Sequence, residues 1–203
     1  MAEKKPIKIL TVNGSVNGLE SLSWKVNSAI VQELIDSHPK SYISVLDLND
    51  TSASTNSLNS NNFKTDFFQK NSDEWINMLK NTDVLIINTP MINFNYSSLV
   101  KNFIDAICVA DKTFSYKYSK KGGAIGLLDN LNVIIVGTQG APTGWYEFGN
   151  HVKMLEGTFK FLGAKKVETI SINGTKVEPY NKMTHDEILK ENEPAIKKIA
   201  NKF

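Results

Sequence analysis

The chain has 203 residues, 41% of them hydrophobic and 22% charged, with a formal net charge of +2. That length suits one well-buried domain over residues 1–203, and recurring apolar runs exclude a disordered chain. The small charge, with no lysine stripe interleaved with aromatics, excludes a nucleic-acid binder, and a single cysteine, Cys108, excludes a disulfide framework or a multi-thiolate metal site.

Residues 1–6 lack the long apolar stretch of a signal peptide, and no window approaches roughly 18 uninterrupted apolar residues. A soluble, reducing, cytoplasmic setting is expected, with no membrane contact. Residues 7–12 (IKILTV) form the first β-branched run. Residues 21–36 place Val26, Ala29, Ile30 and Leu34 on one helical face, with Ser21 or Ser23 as N-cap. Residues 42–48 (YISVLDL) alternate, as an edge strand does. Residues 49–62 hold eleven Asn, Ser or Thr in fourteen positions and read as a polar, mobile loop inside the domain. A helix in two pieces is expected over residues 63–80, carrying Phe67, Phe68, Trp75, Ile76 and Leu79. Residues 83–89 (DVLIINT) are nearly continuous in apolar side chains, as a parallel strand buried on both faces should be. A helix over 97–110 carries Leu99, Phe103, Ala106, Ile107 and Ala110. Residues 132–137 (NVIIVG) read as another buried strand, and 148–162 as a helix with Val152, Leu155 and Phe159 inward. Residues 166–172 (KVETISI) alternate again. The closing helix, residues 186–202, follows a capping-box pattern, Thr184 with Glu187. Strands alternating with helices predict an α/β fold, a parallel sheet with helices on both faces and right-handed crossovers.

In such a sheet ligands bind beyond the carboxyl ends of the strands. After the first strand come Asn13-Gly14-Ser15 and then Ser21-Leu22-Ser23 at a helix start. Hydroxyls, flexible glycines and a helix N-terminus are anion-binding equipment, although a serine-capped loop explains them equally well. The pattern is neither a Walker A loop nor G-x-G-x-x-G. After the third strand come Met91, Ile92, Asn93 and Phe94, apolar and aromatic groups at a strand end, with polar Asn93 and Asn95 bracketing Phe94, that suit the wall of a flat ligand. After the fourth come Thr138, Gln139, Gly140 and Ala141, a loop whose backbone a ligand can approach closely. A phosphorylated flat heterocycle fits the three together. His38, His151 and His185 show no paired or metal-ligand spacing and are taken as structural or solvent-facing. Cys108, near a helix end, reads as a buried inert thiol.

All 23 basic side chains are lysine. Codon bias explains that count, since the chain is also rich in Asn and Ile. Its consequence stands regardless: no bidentate guanidinium holds any anion this chain binds.

The segment Asn88-Thr89-Pro90-Met91-Ile92-Asn93-Phe94-Asn95, continuing through Ser97, Lys101-Asn102-Phe103 and Asp105, resembles the signature of the FMN-dependent NADH azoreductases, also described as NADH:quinone oxidoreductases. Similarity extends to Ser15, Ser21 and Ser23, to Thr113-Phe114-x-Tyr116, to residues 137–140 and to Phe161-x-Gly163. Ile92 replaces an aromatic, and Gln139 and Ala141 stand where the family often has an arginine and a second glycine, which bears on substrate range. The resemblance implies a flavodoxin-like five-stranded sheet of order 2-1-3-4-5. It implies FMN phosphate against Ser15, Ser21, Leu22 and Ser23, and the ring between Met91, Ile92, Asn93, Phe94 and Thr138, Gln139, Gly140, Ala141. It further implies a homodimer with Phe114, Tyr116 and Phe161 covering the substrate at the subunit boundary. The implied activity is ping-pong: hydride from NADH to FMN, then two-electron reduction of quinones or cleavage of aromatic azo compounds. The cofactor carries the chemistry, so no catalytic side chain is assigned. Two rivals are a flavodoxin-type single-electron carrier and an acyl carrier protein phosphodiesterase-like hydrolase. Carriers of the first kind are usually acidic, and the second needs a base or metal cluster that the sequence does not display.

Overall fold

The structure, a computed structural model, describes residues 5–64, 66–117 and 123–203, without the side chains of residues 66 and 68–71. The opening residues 1–4 and the side chain of Phe68 therefore lie outside the described set. In chain order the strands and helices are β1 (Lys8–Asn13), α1 (Leu22–Ser37), β2 (Tyr42–Asp47), α2 (Asp66–Lys80), β3 (Val84–Pro90), α3 (Ser98–Ile107), β4 (Phe114–Ser115), β5 (Ile125–Gly126), β6 (Asn132–Gln139), α4 (His151–Phe161), β7 (Lys166–Asn173) and α5 (His185–Ala200). Five of the strands form one parallel sheet in the order β2-β1-β3-β6-β7, the expected 2-1-3-4-5 once the short antiparallel pair β4-β5 is set apart.

Burial follows that order. The central strands β1, β3 and β6 are buried almost end to end, which is why their sequences are continuous in apolar residues. The edge strands β2 and β7 are largely open. Successive side chains point to opposite faces, so each central strand feeds two cores. Leu10, Val12, Leu85, Ile87, Val133 and Ile135 meet Trp75, Phe103, Leu155 and Phe159 of α2, α3 and α4. Ile9, Val84, Ile86, Ile134 and Val136 meet Val26, Ile30 and Leu34 of α1 and Ile188, Ile196 and Ile199 of α5.

Several expectations need correcting. α2 is one helix, not two pieces. α3 stops at Ile107, with Cys108 closing it through an N–H bond to the Ile104 carbonyl. α4 starts at His151, because the Asn150 side chain accepts from the Lys153 N–H and caps it there. Residues 49–62 are not a featureless loop. Two 3₁₀ turns, Leu48–Asp50 and Ser52–Ser54, are capped by the side chains of Asp47 and Thr51, and Ala53 is buried in the core. The β4-β5 pair was not foreseen. It is held against the end of α4 where Gly126 meets Gly163, itself at φ +97°, so closely that a Cβ on Gly126 would lie 2.1 Å from the Gly163 nitrogen. Among the described residues, no helix is long and apolar enough to cross a membrane.

Candidate functional site

The carboxyl ends of β1, β2 and β3 meet α1 in a buried polar network. Asn13, Asn27 and Asn88 are fully buried. Asn88 accepts from Asn27 Nδ2 at 2.9 Å and donates to Asn13 Oδ1 at 3.0 Å and Ser23 Oγ at 3.1 Å. Asn27 Oδ1 accepts from Thr11 Oγ1 at 2.6 Å, and Asn13 donates to Asp47 Oδ2 at 3.0 Å. The Ser15 N–H closes onto Asn13 Oδ1, and Asn49 Nδ2 donates to the Ser15 carbonyl. Ser97 Oγ donates to the Gly14 carbonyl at 2.6 Å, joining this loop to the start of α3. Buried amides placed this way are satisfied in both directions, so the loop above them is held from below.

Above the network, Ser21 caps α1 by accepting from the Trp24 N–H, and its hydroxyl lies 3.4 Å from Ser23 Oγ. The first-turn N–H groups of Leu22 and Ser23 have no intrahelical acceptor. Ser21 and Leu22 open onto a cavity of about 540 Å³, together with Met91, Ile92, Thr138, Gln139 and Gly140. Ser15 and Ser23 are buried behind that wall. A second cavity of about 460 Å³ adjoins the first through Met91 and Gly140, and Asn93, Phe94 and Ala141 line it. Both volumes fall within the roughly 300–1,000 Å³ of small-molecule sites. Another groove of comparable size, lined by Lys8, Tyr42, Glu74 and Met78, lies toward the amino ends of β1 and β2, away from these loops.

The β3–α3 loop reverses on Asn93 and Phe94, whose φ values are +45° and +73°. Ile92 and Asn95 exchange both backbone bonds, at 2.7 and 3.1 Å, closing the turn. Left-handed backbone at a phenylalanine costs about 1–2 kcal/mol, so the surroundings hold it there. Part of that hold comes from three residues that the sequence reading passed over. Phe94 packs edge-on against Tyr146 and Phe148, each at 5.0 Å between ring centroids, and Trp145 completes the second cavity's wall. Phe148 remains 76% exposed. The signal was present as W-Y-x-F directly after the glycine-rich loop.

The β6 loop is braced on both sides. The Met91 N–H donates to the Thr138 carbonyl at 2.7 Å. The N–H groups of Gly174, Thr175 and Lys176 donate to the carbonyls of Ala141, Gln139 and Gly140. With those carbonyls engaged, the Gly140 and Ala141 N–H groups find no acceptor among the described residues. The Gln139 side chain folds back onto the Ala141 and Pro142 carbonyls and so braces its own loop. Gln139 also lines the larger cavity.

Phe114, Tyr116 and Phe161 do come together, at 5.5 and 5.0 Å between centroids. They gather at the far end of α4, which at 11 residues is about 16 Å long. None of them lines the two cavities of their own chain. Among the histidines, His151 is 1% exposed at the start of α4, where its ring hydrogen-bonds the Thr89 backbone and Nε2 has no partner. Burial lowers its pKa to about 4, so it is neutral at physiological pH. His38 is also buried, and His185 lines the larger cavity at the α5 N-terminus. Burial pushes the Cys108 thiol up to about 11, Asp105 adding to the shift and Lys101 opposing it. Among the described residues no group of three or more His, Cys, Asp or Glu is placed to hold a metal.

Comparison with known proteins agrees with the fold and its strand order. Residues 7–198 match the family model described as flavodoxin-like fold. An FMN-dependent NADH:quinone oxidoreductase of Mycoplasmoides gallisepticum is 45% identical over 97% of this chain and 99% of its own. One from Metamycoplasma arthritidis is 49% identical over 90% and 92%. The crystal structure of an FMN-dependent NADH-azoreductase from Bacillus anthracis, in complex with FMN, superposes with a TM-score of 0.75 over 96% of this chain and 98% of that one. At 22% identity it speaks for the fold alone. With a sheet of the matching order and a family match over nearly its whole length, the chain belongs to the flavodoxin-like fold family.

Proposed function

We propose that this chain is an FMN-dependent NADH:quinone oxidoreductase. The observation that carries the reading is its 45% identity, over 97% of the chain, to a relative of that name, combined with two adjoining cavities at the strand ends where the fold puts its ligands. Bound FMN would supply the redox chemistry, taking a hydride from NADH and handing two electrons to a quinone in a ping-pong cycle.

The donor set suits such a group. Ser21 and the first-turn N–H groups of the 16-residue α1 offer a phosphate seat that needs no arginine, with Leu22 between the hydroxyls and Ser15 and Ser23 behind. Met91, Ile92 and Phe94 supply an apolar wall for a ring, with Asn93 adding a polar group beside it. Thr138, Gln139, Gly140 and Ala141 face it from the other side, presenting N–H groups to negative charge that develops on reduction. The Phe114, Tyr116 and Phe161 cluster, remote from its own chain's cavities, is suited to covering a substrate across the boundary of a homodimer. The same reading takes residues 1–203 as one cytoplasmic domain, independent of nucleic acid and membrane. Aromatic azo compounds are a second substrate class, each azo bond consuming two rounds of reduction. The single-electron carrier and the phosphodiesterase-like hydrolase are disfavoured, because the relatives' names describe neither.

The test is spectroscopic. The purified protein, reconstituted with FMN, should be yellow, bleach with NADH in the absence of oxygen, and recover on adding a benzoquinone. Failure to bind FMN would overturn the reading, and a yellow protein that NADH cannot bleach would favour the carrier.

A further inference from the structure

Lys176 lines both cavities and is the single lysine among the described residues lining either one. In a chain without arginine, that makes it the one lysine or arginine side chain among the described residues lining the site. Its ammonium has no carboxylate partner among the described residues, and neighbouring Glu178 is paired with Lys182 instead. The backbone beneath it is fixed, for the Lys176 N–H donates to the Gly140 carbonyl at 3.0 Å and the Thr175 N–H to the Gln139 carbonyl at 3.1 Å. Its stem crosses directly over Gly140, where a Cβ would stand 2.8 Å from Lys176 Cγ. The other charged or titratable side chains of the larger cavity are Glu20 just before α1, Tyr180, and His185 at the start of α5. Lys176 instead sits at the seam with the second cavity, beside Met91 and Gly140, where the Phe94 and Tyr146 shelf begins.

We infer that Lys176 is a specificity-determining residue that pairs with an oxyanion carried by the reactant, the diphosphate of a nicotinamide dinucleotide or a sulfonate on an aromatic acceptor. The inference rests on the oxidoreductase reading and adds to it a residue that sorts reactants by charge. The phosphate seat of a bound flavin nucleotide lies at Ser21 and the α1 N-terminus, so it does not compete for this ammonium. A side chain without the ammonium at this seam would leave an anionic group with water alone, whereas an uncharged reactant of the same ring would feel no difference.

The experiment uses FMN-loaded protein, wild type against Lys176→Met and Lys176→Gln. Donors are NADH and uncharged N-benzyl-1,4-dihydronicotinamide; acceptors are menadione and anthraquinone-2-sulfonate. The expected result is a KM increase of about tenfold for NADH, for the sulfonate, or for both, with the uncharged partners changing less than about twofold. Lys176→Arg should restore the charged reactant's KM, and added salt should weaken wild-type kcat/KM for it more than in Lys176→Met. Equal changes for charged and uncharged reactants would overturn the inference, as would an effect confined to the flavin's midpoint potential. A wild-type protein that neither donor reduces would overturn the oxidoreductase reading and this inference with it, which separates the two failures.

Discussion

Asn88→Ala tests the buried network beneath the candidate site. The side chain is fully buried and makes three hydrogen bonds, to Asn27, Asn13 and Ser23. Truncation leaves Asn27 Nδ2 with only a long contact to the Ile86 carbonyl, at 3.5 Å. The other two partners are less exposed to loss, since Asn13 Oδ1 keeps the Ser15 N–H and Ser23 Oγ keeps Ser21 Oγ at 3.4 Å. One nearly orphaned buried amide costs about 1–3 kcal/mol and each bond otherwise replaced about 0.5–1.5, so we expect a loss of about 3 kcal/mol. In a chain of this size that lowers Tm by about 6–12 °C. Urea unfolding of the flavin-free protein should show a lower midpoint at unchanged m, and scanning calorimetry the matching Tm shift. A loss below about 1 kcal/mol would refute the view that these amides act as one buried network.

Replacing both hydroxyls, Ser21→Ala with Ser23→Ala, should weaken FMN binding on the order of tenfold or more by fluorescence titration, and unchanged affinity would remove the phosphate assignment. Loss of the Ser21 cap should also cost about 1 kcal/mol, read from the unfolding of the same samples. His151 has a folded pKa near 4, below its unfolded value, so its contribution to stability is complete above about pH 6.5 and is lost as pH falls through 4. The full span amounts to about 3 kcal/mol, and His151→Phe should flatten that part of the stability profile; an unchanged profile would mean the ring is not buried neutral. Cys108, expected to be buried, is only half-buried; with its pKa near 11 it should react with N-ethylmaleimide at pH 8 about a hundredfold more slowly than a free thiol, and fast labelling would contradict that raised pKa.

The sheet was legible because burial on two faces and on one leave different periodicities. The apolar runs of β3 and β6 and the alternation of β2 and β7 identified centre and edge before any topology was known. The cavity-lining loops were legible through strand order, since Ser21, Met91 and Gly140 each follow a strand end. The network was not. Asn13 and Asn88 are 75 residues apart, and asparagine at a strand end reads as a turn former unless its partner is known. That the Gln139 amide donates back onto its own loop was not legible either, because sequence carries no rotamer. Trp145, Tyr146 and Phe148 were missed because an aromatic in a loop gives no periodic signal, whereas the positive φ of Phe94 and the rings gathered around it are visible only in space.

The amide network also bears on how fast a cofactor could be taken up. Asn13, Asn49 and Ser97 fix the loop of residues 13–15, and Asn88 holds Ser23 beside Ser21, so the α1 N-terminus that would greet a phosphate is already aimed when folding ends. A seat built this way asks for little ordering at the moment of binding, and affinity lost to ordering elsewhere is retained here. Uptake of FMN should then follow a single concentration-dependent phase, its rate set by encounter and not by a slow rearrangement of the loop.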